Sequence, residues 1–201
     1  KTAIDFVGVK NLVGTFHPAS AVLLCSRFLE TLPPRLVRAG WAELVKAALL
    51  AGGQLLRLVE ACERVPDASA PGLGDLIRMA AAVKLRIVSE DFRETGTREH
   101  LNLGHSLGHA LEALAGAALS HGDAVAWGME RELALGQALG ITRTDWYDRV
   151  RTMVQRFGYA LGPSVPAQFG VLPQHMLARV LLDKKNRDGR IGIVLQEAEA
   201  R

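Results

Sequence analysis

The residues best suited to chemistry in this chain are concentrated in one short segment, NLGHSLGH at 102–109, and in the HGD tripeptide that begins at His121. Three of the chain's six histidines occupy these two stretches. On a helix, Asn102, His105 and His109 fall at i, i+3 and i+7, so their side chains share one face. Two imidazoles one turn apart can bind zinc, but a catalytic zinc site takes three protein ligands. The pair by itself is more typical of hydrogen-bonded histidines in a helix-packing groove.

A candidate third ligand lies upstream, where Glu43 and Lys46 stand one helical turn apart. A carboxylate with two imidazoles is a familiar zinc set, and it leaves coordination positions open for substrate oxygens. A Glu-x-x-Lys pair on a helix is most often a solvated surface pair, however. The spacing of these two residues therefore leaves both interpretations open.

The opposite face of a helix predicted over 101–116 is apolar and predicts burial. Its apolar residues recur at i, i+4, i+7, i+8 and i+11, a spacing that packs one side of a helix into a core: Leu103, Leu107, Ala110, Leu111 and Leu114. Glycines at 104 and 108 interrupt this helix, although each costs about 1 kcal/mol relative to alanine. We therefore expect a close approach to the backbone at Gly104 and Gly108.

Most of the remaining chain shows helical periodicity, so the fold class is predicted to be mainly α. Pro33-Pro34 opens a helix that runs to about Ala51 and ends at Gly52-Gly53. Residues 1–32 carry short apolar runs punctuated by glycine and proline, which is typical of strand and loop. A short strand is predicted at 191–195. Further helices are predicted near 54–64, 74–91, 101–116, 122–139, 144–157 and 173–185.

Composition excludes several classes of protein. The chain is 49% hydrophobic and 22% charged, which suits a globular protein with a sizeable core. No apolar run reaches the roughly 18–20 residues of a membrane span, and no signal segment opens the chain. A net charge of +3 without a clustered Lys/Arg stripe argues against nucleic-acid binding. Cys25 and Cys62 are too few for a disulfide framework or a thiolate zinc site.

A series of motifs resembles 3-dehydroquinate synthases, in the order found in that family: residues 1–5, 9–17, 28–33, 39–46, 93–96, 102–109, 121–126 and 183–186. All six lysines fall within or beside these motifs or at another family position. The resemblance implies residues 1–32 as the end of a nucleotide-binding domain and 33–201 as a helical metal- and substrate-binding domain. Because the chain begins at Lys1 without methionine, we expect a fragment that lacks the N-terminal NAD-binding domain and is inactive alone.

The resemblance also implies an activity and its cofactors. It predicts an NAD- and zinc-dependent lyase, with cobalt as an alternative metal, in the second step of the shikimate pathway. The substrate is a phosphorylated keto acid, 3-deoxy-D-arabino-heptulosonate 7-phosphate, and the products are 3-dehydroquinate and phosphate. A cytoplasmic homodimer is implied as well, with neither nucleic acid nor membrane as partner.

Site residues follow from the same resemblance. The metal ligands would be Glu43, His105 and His121, which makes His109 a non-ligand. Lys84 and Arg98 would bind the substrate carboxylate, where a guanidinium offers two parallel hydrogen bonds. Lys46 would contact a ring hydroxyl. Phosphate or nearby oxygens would be contacted by Lys1, Asn11, Asn102, His109 and one of Lys184 or Lys185. Lys10 would lie between substrate and cofactor, with Phe28 and Thr31 on the nicotinamide side.

Three other functions share parts of this pattern. Related sugar-phosphate cyclases use the same cofactor and metal on other sugar phosphates to make cyclitols. Metal-dependent alcohol or polyol dehydrogenases have a similar architecture but need no clamp for phosphate and carboxylate. A non-catalytic helical module could bind a metal or a partner without chemistry. The Lys84 and Arg98 pair favours an acidic substrate and therefore the synthase.

Overall fold

The computed structural model describes residues 2–7, 9–182 and 190–200, with the backbone alone at 2, 5 and 9–11. It is mainly helical, which confirms the predicted fold class. The strands are β1 (Thr2–Phe6) and β2 (Val9–Thr15), and the α-helices are α1 (Pro34–Ala51), α2 (Gly53–Glu60), α3 (Leu73–Glu90), α4 (His105–Ala115), α5 (His121–Ala138), α6 (Thr144–Arg156) and α7 (Pro173–Leu181). Short 3₁₀ helices are formed by Ser26–Thr31, Thr97–Asn102, Gly116–Ala118 and Pro166–Phe169. Among the described helices, none combines the length and apolar character needed to cross a membrane.

The two strands form an antiparallel hairpin that pairs Thr2 with Thr15 and Ile4 with Val13. Apolar side chains of this hairpin are exposed, including those of Ile4, Phe6 and Val13. The hairpin therefore contributes little to the main core, which is built by the helices.

Helices α1 and α5 lie at the centre of that core. α1 begins with a proline at its first position, where the missing N–H costs nothing, and it buries Trp41, Val45 and Leu49. α5 begins after Ser120, whose hydroxyl accepts a hydrogen bond from the backbone N–H of Asp123 and so caps the helix. The two helices approach closely at Gly122, where any Cβ would collide with the Ala39 backbone.

Helix α4 begins later than the sequence predicts. Residues 97–102 form a 3₁₀ helix, and Gly104 has a φ of +77°, which separates that turn from the α-helix at His105. Asn102 consequently does not lie on the helix that carries the two histidines, because the left-handed residue changes the direction of the chain. Apolar residues of the predicted core face are buried at Leu103 and Leu111.

The close approach expected at Gly104 and Gly108 is made by α5. A Cβ on Gly104 would lie 2.7 Å from the Val125 carbonyl oxygen, and one on Gly108 would lie 2.8 Å from the Ala124 carbonyl oxygen. On α5 itself, a Cβ on Gly128 would collide with the Gly104 carbonyl oxygen. These glycines serve helix packing and place α4 directly against α5.

The strand predicted at 191–195 is wrong, since 191–197 run without strand pairing. The segment instead bonds to the helical core: Gln196 donates from Nε2 to the Leu49 carbonyl at 2.8 Å, and its own carbonyl accepts from Thr142 Oγ1 at 2.8 Å. Loop and helix groups take up these hydrogen bonds. The helix predicted to 185 ends at Leu181 in α7, and 183–189 lie outside the described residues.

Candidate metal and anion site

Three helices bring the predicted metal ligands together. Glu43 comes from the middle of α1, His105 is the first residue of α4, and His121 is the first residue of α5. Because α1 and α4 both pack against α5, the two helix starts face the same turn of α1. Glu43 Oε1 lies 3.2 Å from His105 Nε2 and 3.3 Å from His121 Nε2.

These distances suit a zinc ion. Donor atoms bound to zinc at about 2.0–2.1 Å in a tetrahedron lie roughly 3.3–3.4 Å from one another. The carboxylate oxygen is therefore placed with respect to both ring nitrogens as a ligand would be. One carboxylate and two imidazoles also leave a coordination position for a substrate oxygen.

The other ring nitrogen of each histidine has an acceptor. His105 Nδ1 lies 3.0 Å from the Leu103 carbonyl oxygen, and His121 Nδ1 lies 3.0 Å from Glu112 Oε2. With a metal bound, an N–H at Nδ1 would donate to these oxygens and leave the Nε2 lone pair directed at the metal, as in most histidine ligands. Glu112 was not among the predicted site residues, because a glutamate in an amphipathic helix is usually a solvated residue.

Electrostatics keep Glu43 ionised. Burial raises the pKa of its carboxyl, but hydrogen bonds with His105 and His121 and the charge of Lys46 hold that pKa well below its usual range. Burial lowers the pKa of His105 despite its contact with Glu43. The carboxylates of Glu112 and Glu43 raise the pKa of His121 to about 9.

Lys46 is a buried ammonium within the site. The residue is only 5% exposed, and its Nζ lies 2.8 Å from Glu43 Oε2. Burial and the nearby charge of Lys84 lower the pKa of Lys46, while the attraction of Glu43 opposes this shift. Glu43 therefore presents one oxygen to the two histidines and the other to Lys46. The pair is not the solvated surface pair that its spacing most often indicates.

His109 lies beside both candidate ligands. Its ring centroid is 4.9 Å from that of His105 and 5.6 Å from that of His121. Nitrogen atoms of the three histidines lie within 4.8 Å of one another, so a three-histidine metal site is a geometric alternative to the set with Glu43. The geometry brings all four residues together without choosing between these sets.

The candidate ligands open into a cavity of about 900 Å³ whose walls include five of the predicted substrate residues. One wall is apolar and contains Leu36, Trp41 and Leu73 among others. The charged and polar lining residues are Glu43, Lys46, Lys84, Glu94, Arg98, Asn102, His105, His109, Glu112 and His121. Three cationic side chains thus share one cavity with the candidate metal ligands.

Arg98 is held in place by its surroundings. Its Nη1 donates to the Phe92 carbonyl at 2.6 Å, and its guanidinium lies 5.7 Å from the Phe16 ring centroid. Asp91 organises this loop by accepting hydrogen bonds from the backbone N–H groups of Thr95, Gly96 and Arg98. These bonds lower the pKa of Asp91 to about 2. Asp91 was not among the predicted site residues, although an aspartate at the start of a loop commonly accepts hydrogen bonds from the backbone N–H groups that follow it.

Other predicted residues are not placed in the cavity. Lys1, Lys184 and Lys185 lie outside the described residues, as do the side chains of Lys10 and Asn11. The two residues predicted on the nicotinamide side occupy the Ser26–Thr31 turn, where Thr31 Oγ1 donates to the Phe28 carbonyl and the Phe28 side chain is exposed. Their contact with a cofactor stays a prediction.

Comparison with known proteins gives consistent likenesses. Residues 40–186 match the family model described as 3-dehydroquinate synthase C-terminal, and residues 1–39 match 3-dehydroquinate synthase N-terminal. The chain is 39% identical to a 3-dehydroquinate synthase of Xanthomonas campestris pv. campestris, over 97% of this chain and 54% of that protein. It is 34% identical to a 2-epi-valiolone synthase of Actinosynnema mirum, over 97% and 51%. The chain therefore spans about half the length of these relatives.

Solved structures show the same fold. A 2-epi-5-epi-valiolone synthase of Streptomyces hygroscopicus subsp. jinggangensis 5008, with NAD⁺ and Zn²⁺ bound, gives a TM-score of 0.85 at 28% identity and covers 98% of this chain and 54% of that one. A 2-deoxy-scyllo-inosose synthase in complex with carbaglucose-6-phosphate, NAD⁺ and Co²⁺ gives 0.76 at 24% identity, over 91% and 50%. The second likeness concerns the fold alone.

Proposed function

This chain belongs to the 3-dehydroquinate synthase family, and we propose that it supplies the metal- and substrate-binding half of an NAD- and zinc-dependent lyase. The reaction proposed is conversion of 3-deoxy-D-arabino-heptulosonate 7-phosphate to 3-dehydroquinate and phosphate. Because the relatives are about twice as long, we assign most NAD contacts to a nucleotide-binding domain outside these 201 residues. The same proposal includes a domain boundary between residues 32 and 33, a cytoplasmic location and a homodimer.

We assign Glu43, His105 and His121 to the metal, with zinc preferred and cobalt as the alternative. When bound, the ion would polarise substrate oxygens, and NAD would take up and return a hydride. Three observations support this assignment. The donor set is one that zinc binds, and the two Nε2 atoms lie 3.2 and 3.3 Å from Glu43 Oε1. Each ring also has an acceptor at its Nδ1.

The chain's own side chains bind and orient the substrate. Arg98, with its guanidinium fixed by Phe92, and Lys84 would bind the carboxylate. Lys46 would donate a hydrogen bond to a ring hydroxyl while its charge is balanced by Glu43. Asn102 and His109 would contact phosphate oxygens. The protein's contribution to catalysis is then mainly orientation and electrostatic stabilisation.

The observation that carries the proposal is the shared cavity, which combines a zinc-type ligand set with Lys46, Lys84 and Arg98. A site for a neutral alcohol or polyol has no need of an arginine and a lysine beside its metal. A substrate with both a phosphate and a carboxylate does need such groups, because two anions must leave water on binding.

The test is made on the zinc-loaded full-length protein with NAD. We expect phosphate release from the heptulosonate phosphate, and little release from a seven-carbon ketose phosphate without a carboxylate. In Arg98→Ala the Michaelis constant for the keto acid should rise about tenfold or more, with a smaller change in kcat, because binding is what the variant loses. An Arg156→Ala variant, altered on a different surface, is the control.

Three results would overturn the proposal in favour of the other functions. Preferred release of phosphate from the ketose phosphate indicates a cyclitol-forming cyclase, which the 34% identity to a 2-epi-valiolone synthase supports as second candidate. NAD reduction with simple polyols indicates a dehydrogenase. A folded protein that retains no metal indicates a non-catalytic module.

A further inference from the structure

Helix α5 contains two glutamates, Glu130 and Glu132, that are fully buried. A buried carboxylate is costly unless its oxygens accept hydrogen bonds. Glu132 accepts from the Gly104 backbone N–H at 2.6 Å and from the Leu107 backbone N–H at 3.1 Å. It therefore satisfies donors at the beginning of α4, and its negative charge lies at the positive end of that helix.

This arrangement replaces an ordinary helix cap. In a capping box, the N-cap side chain and the third helical residue satisfy the N–H groups at these two positions. The N-cap residue of α4 is Gly104, which has no side chain, and a Cβ there would lie 2.5 Å from Met129 Cγ. Glu132 supplies from the neighbouring helix the acceptors that Gly104 lacks.

The Gly104 N–H and the Leu103 carbonyl belong to one peptide group. That carbonyl is the oxygen 3.0 Å from His105 Nδ1. A continuous chain of hydrogen bonds therefore runs from the Glu132 carboxylate through the Leu103–Gly104 peptide to the His105 ring. Hydrogen bonds in such chains polarise one another, so a carboxylate on the N–H makes the carbonyl a better acceptor.

We propose that Glu132 is a positioning residue for the metal site, which acts through this peptide to orient His105 and keep its proton on Nδ1. The inference rests on the proposed function, since it concerns the ring assigned as a metal ligand. Partners behind a metal-bound histidine fix its orientation and raise its basicity, and their loss typically costs 10–100-fold in metal affinity. Glu132 differs from Glu112 in acting through a backbone peptide.

Glu130 provides a matched control on the same helix. It is equally buried, but it accepts from Tyr147 Oη at 2.8 Å and from the Gly162 N–H at 3.2 Å, and it pairs with Arg131. Glu130→Gln and Glu132→Gln each replace a buried carboxylate by an amide of the same size. Only Glu132→Gln removes a negative charge that is hydrogen-bonded to the Leu103–Gly104 peptide, the peptide that contacts His105.

The experiment measures zinc affinity by chelator competition, and the visible absorption of the Co²⁺-substituted full-length protein, which reports ligand geometry. We expect Glu132→Gln to weaken zinc binding about tenfold and to alter the Co²⁺ spectrum. Glu130→Gln should lower the melting temperature while zinc affinity stays within about twofold and the spectrum is unchanged. Equal effects of the two variants on both metal readouts, or an unchanged affinity and spectrum in Glu132→Gln, overturn the inference.

Two further outcomes keep the tests separate. If the unmutated protein binds neither zinc nor cobalt, the proposed function fails before the role of Glu132 is reached. If Glu132→Gln does not fold, amide hydrogen exchange of the unmutated protein decides. Gly104 and Leu107 amides that exchange slowly support their bonds to a buried carboxylate, and rapid exchange overturns them.

Discussion

Replacing Glu43 by glutamine tests which residues hold the metal. The side chain keeps its size, but the amide oxygen is a weaker ligand than a carboxylate. Glu43 Oε1 lies 3.2 Å from His105 Nε2 and 3.3 Å from His121 Nε2. Glu43 Oε2 lies 2.8 Å from the Lys46 ammonium. Glu43→Gln therefore removes a ligand charge and also leaves a buried ammonium without its carboxylate.

The size of the effect follows from the number of ligands. Four-ligand structural zinc sites bind with about 10–16 kcal/mol, or roughly 2.5–4 kcal/mol per ligand. Loss of one ligand of this set should weaken zinc binding by about 10²–10³-fold, since about 1.4 kcal/mol corresponds to a factor of ten. His105→Ala should abolish zinc retention. In His109→Gln zinc affinity should change by no more than about threefold, whereas turnover should fall because a phosphate contact is lost.

The assay is chelator competition on the full-length protein, with metal content of each purified variant measured in parallel. Circular dichroism and melting curves show whether each variant is folded. The three-histidine alternative has its nitrogens within 4.8 Å of one another. Loss of zinc from His109→Gln as large as that from Glu43→Gln would show that this alternative holds the metal and would refute the assignment of Glu43.

Two further predictions concern the framework of the site. Gly128→Ala should lower the free energy of unfolding by about 3 kcal/mol in urea titrations, because its Cβ would collide with the Gly104 carbonyl; Gly40→Ala, with nothing within 4 Å of an added Cβ, should be neutral or slightly stabilising. An equal loss of unfolding free energy in both variants, or no loss in either, would contradict this packing argument. Asp91 has a pKa lowered to about 2, so its contribution to stability is present above about pH 4 and is lost as pH falls through 2. Melting temperatures of the unmutated protein and Asp91→Asn should therefore differ at pH 5–7 and converge near pH 2, and a constant difference would argue against ionised Asp91.

Local sequence signals predicted the positions of the helices well. They failed where a residue distant in the sequence determines the start of a helix. The Pro33-Pro34 pair and Gly52 mark the ends of α1 because their effects are confined to the adjacent backbone. The start of α4 depends on Glu132, which lies 28 residues after Gly104 and replaces its missing cap. No local pattern around 101–105 contains that information.

The candidate site shows the same division. Helical spacing places His105 and His109 together, but only helix packing brings Glu43 and His121 to them, and the motif resemblance was needed to expect it. Glu112 and Glu132 were missed because helical glutamates are usually solvated. A signal for Glu132 exists: it follows Gly128 by four residues, on the side of α5 that meets α4. A charged residue on a helix face that is predicted to be buried should therefore be assigned a hydrogen-bonding partner.

The charges of the cavity indicate an order of binding. Without a metal, the carboxylates of Glu43, Glu94 and Glu112 stand beside Lys46, Lys84, Arg98 and a protonated His121, so the cations exceed the carboxylates only slightly. A divalent ion at Glu43 Oε1 would displace the His121 proton and make the cavity more positive, which would strengthen its attraction for the proposed doubly anionic substrate. Metal binding should therefore precede tight binding of the acidic substrate. The pairing of Glu43 Oε2 with Lys46 serves this order, because it keeps the ammonium inside the cavity before the substrate arrives.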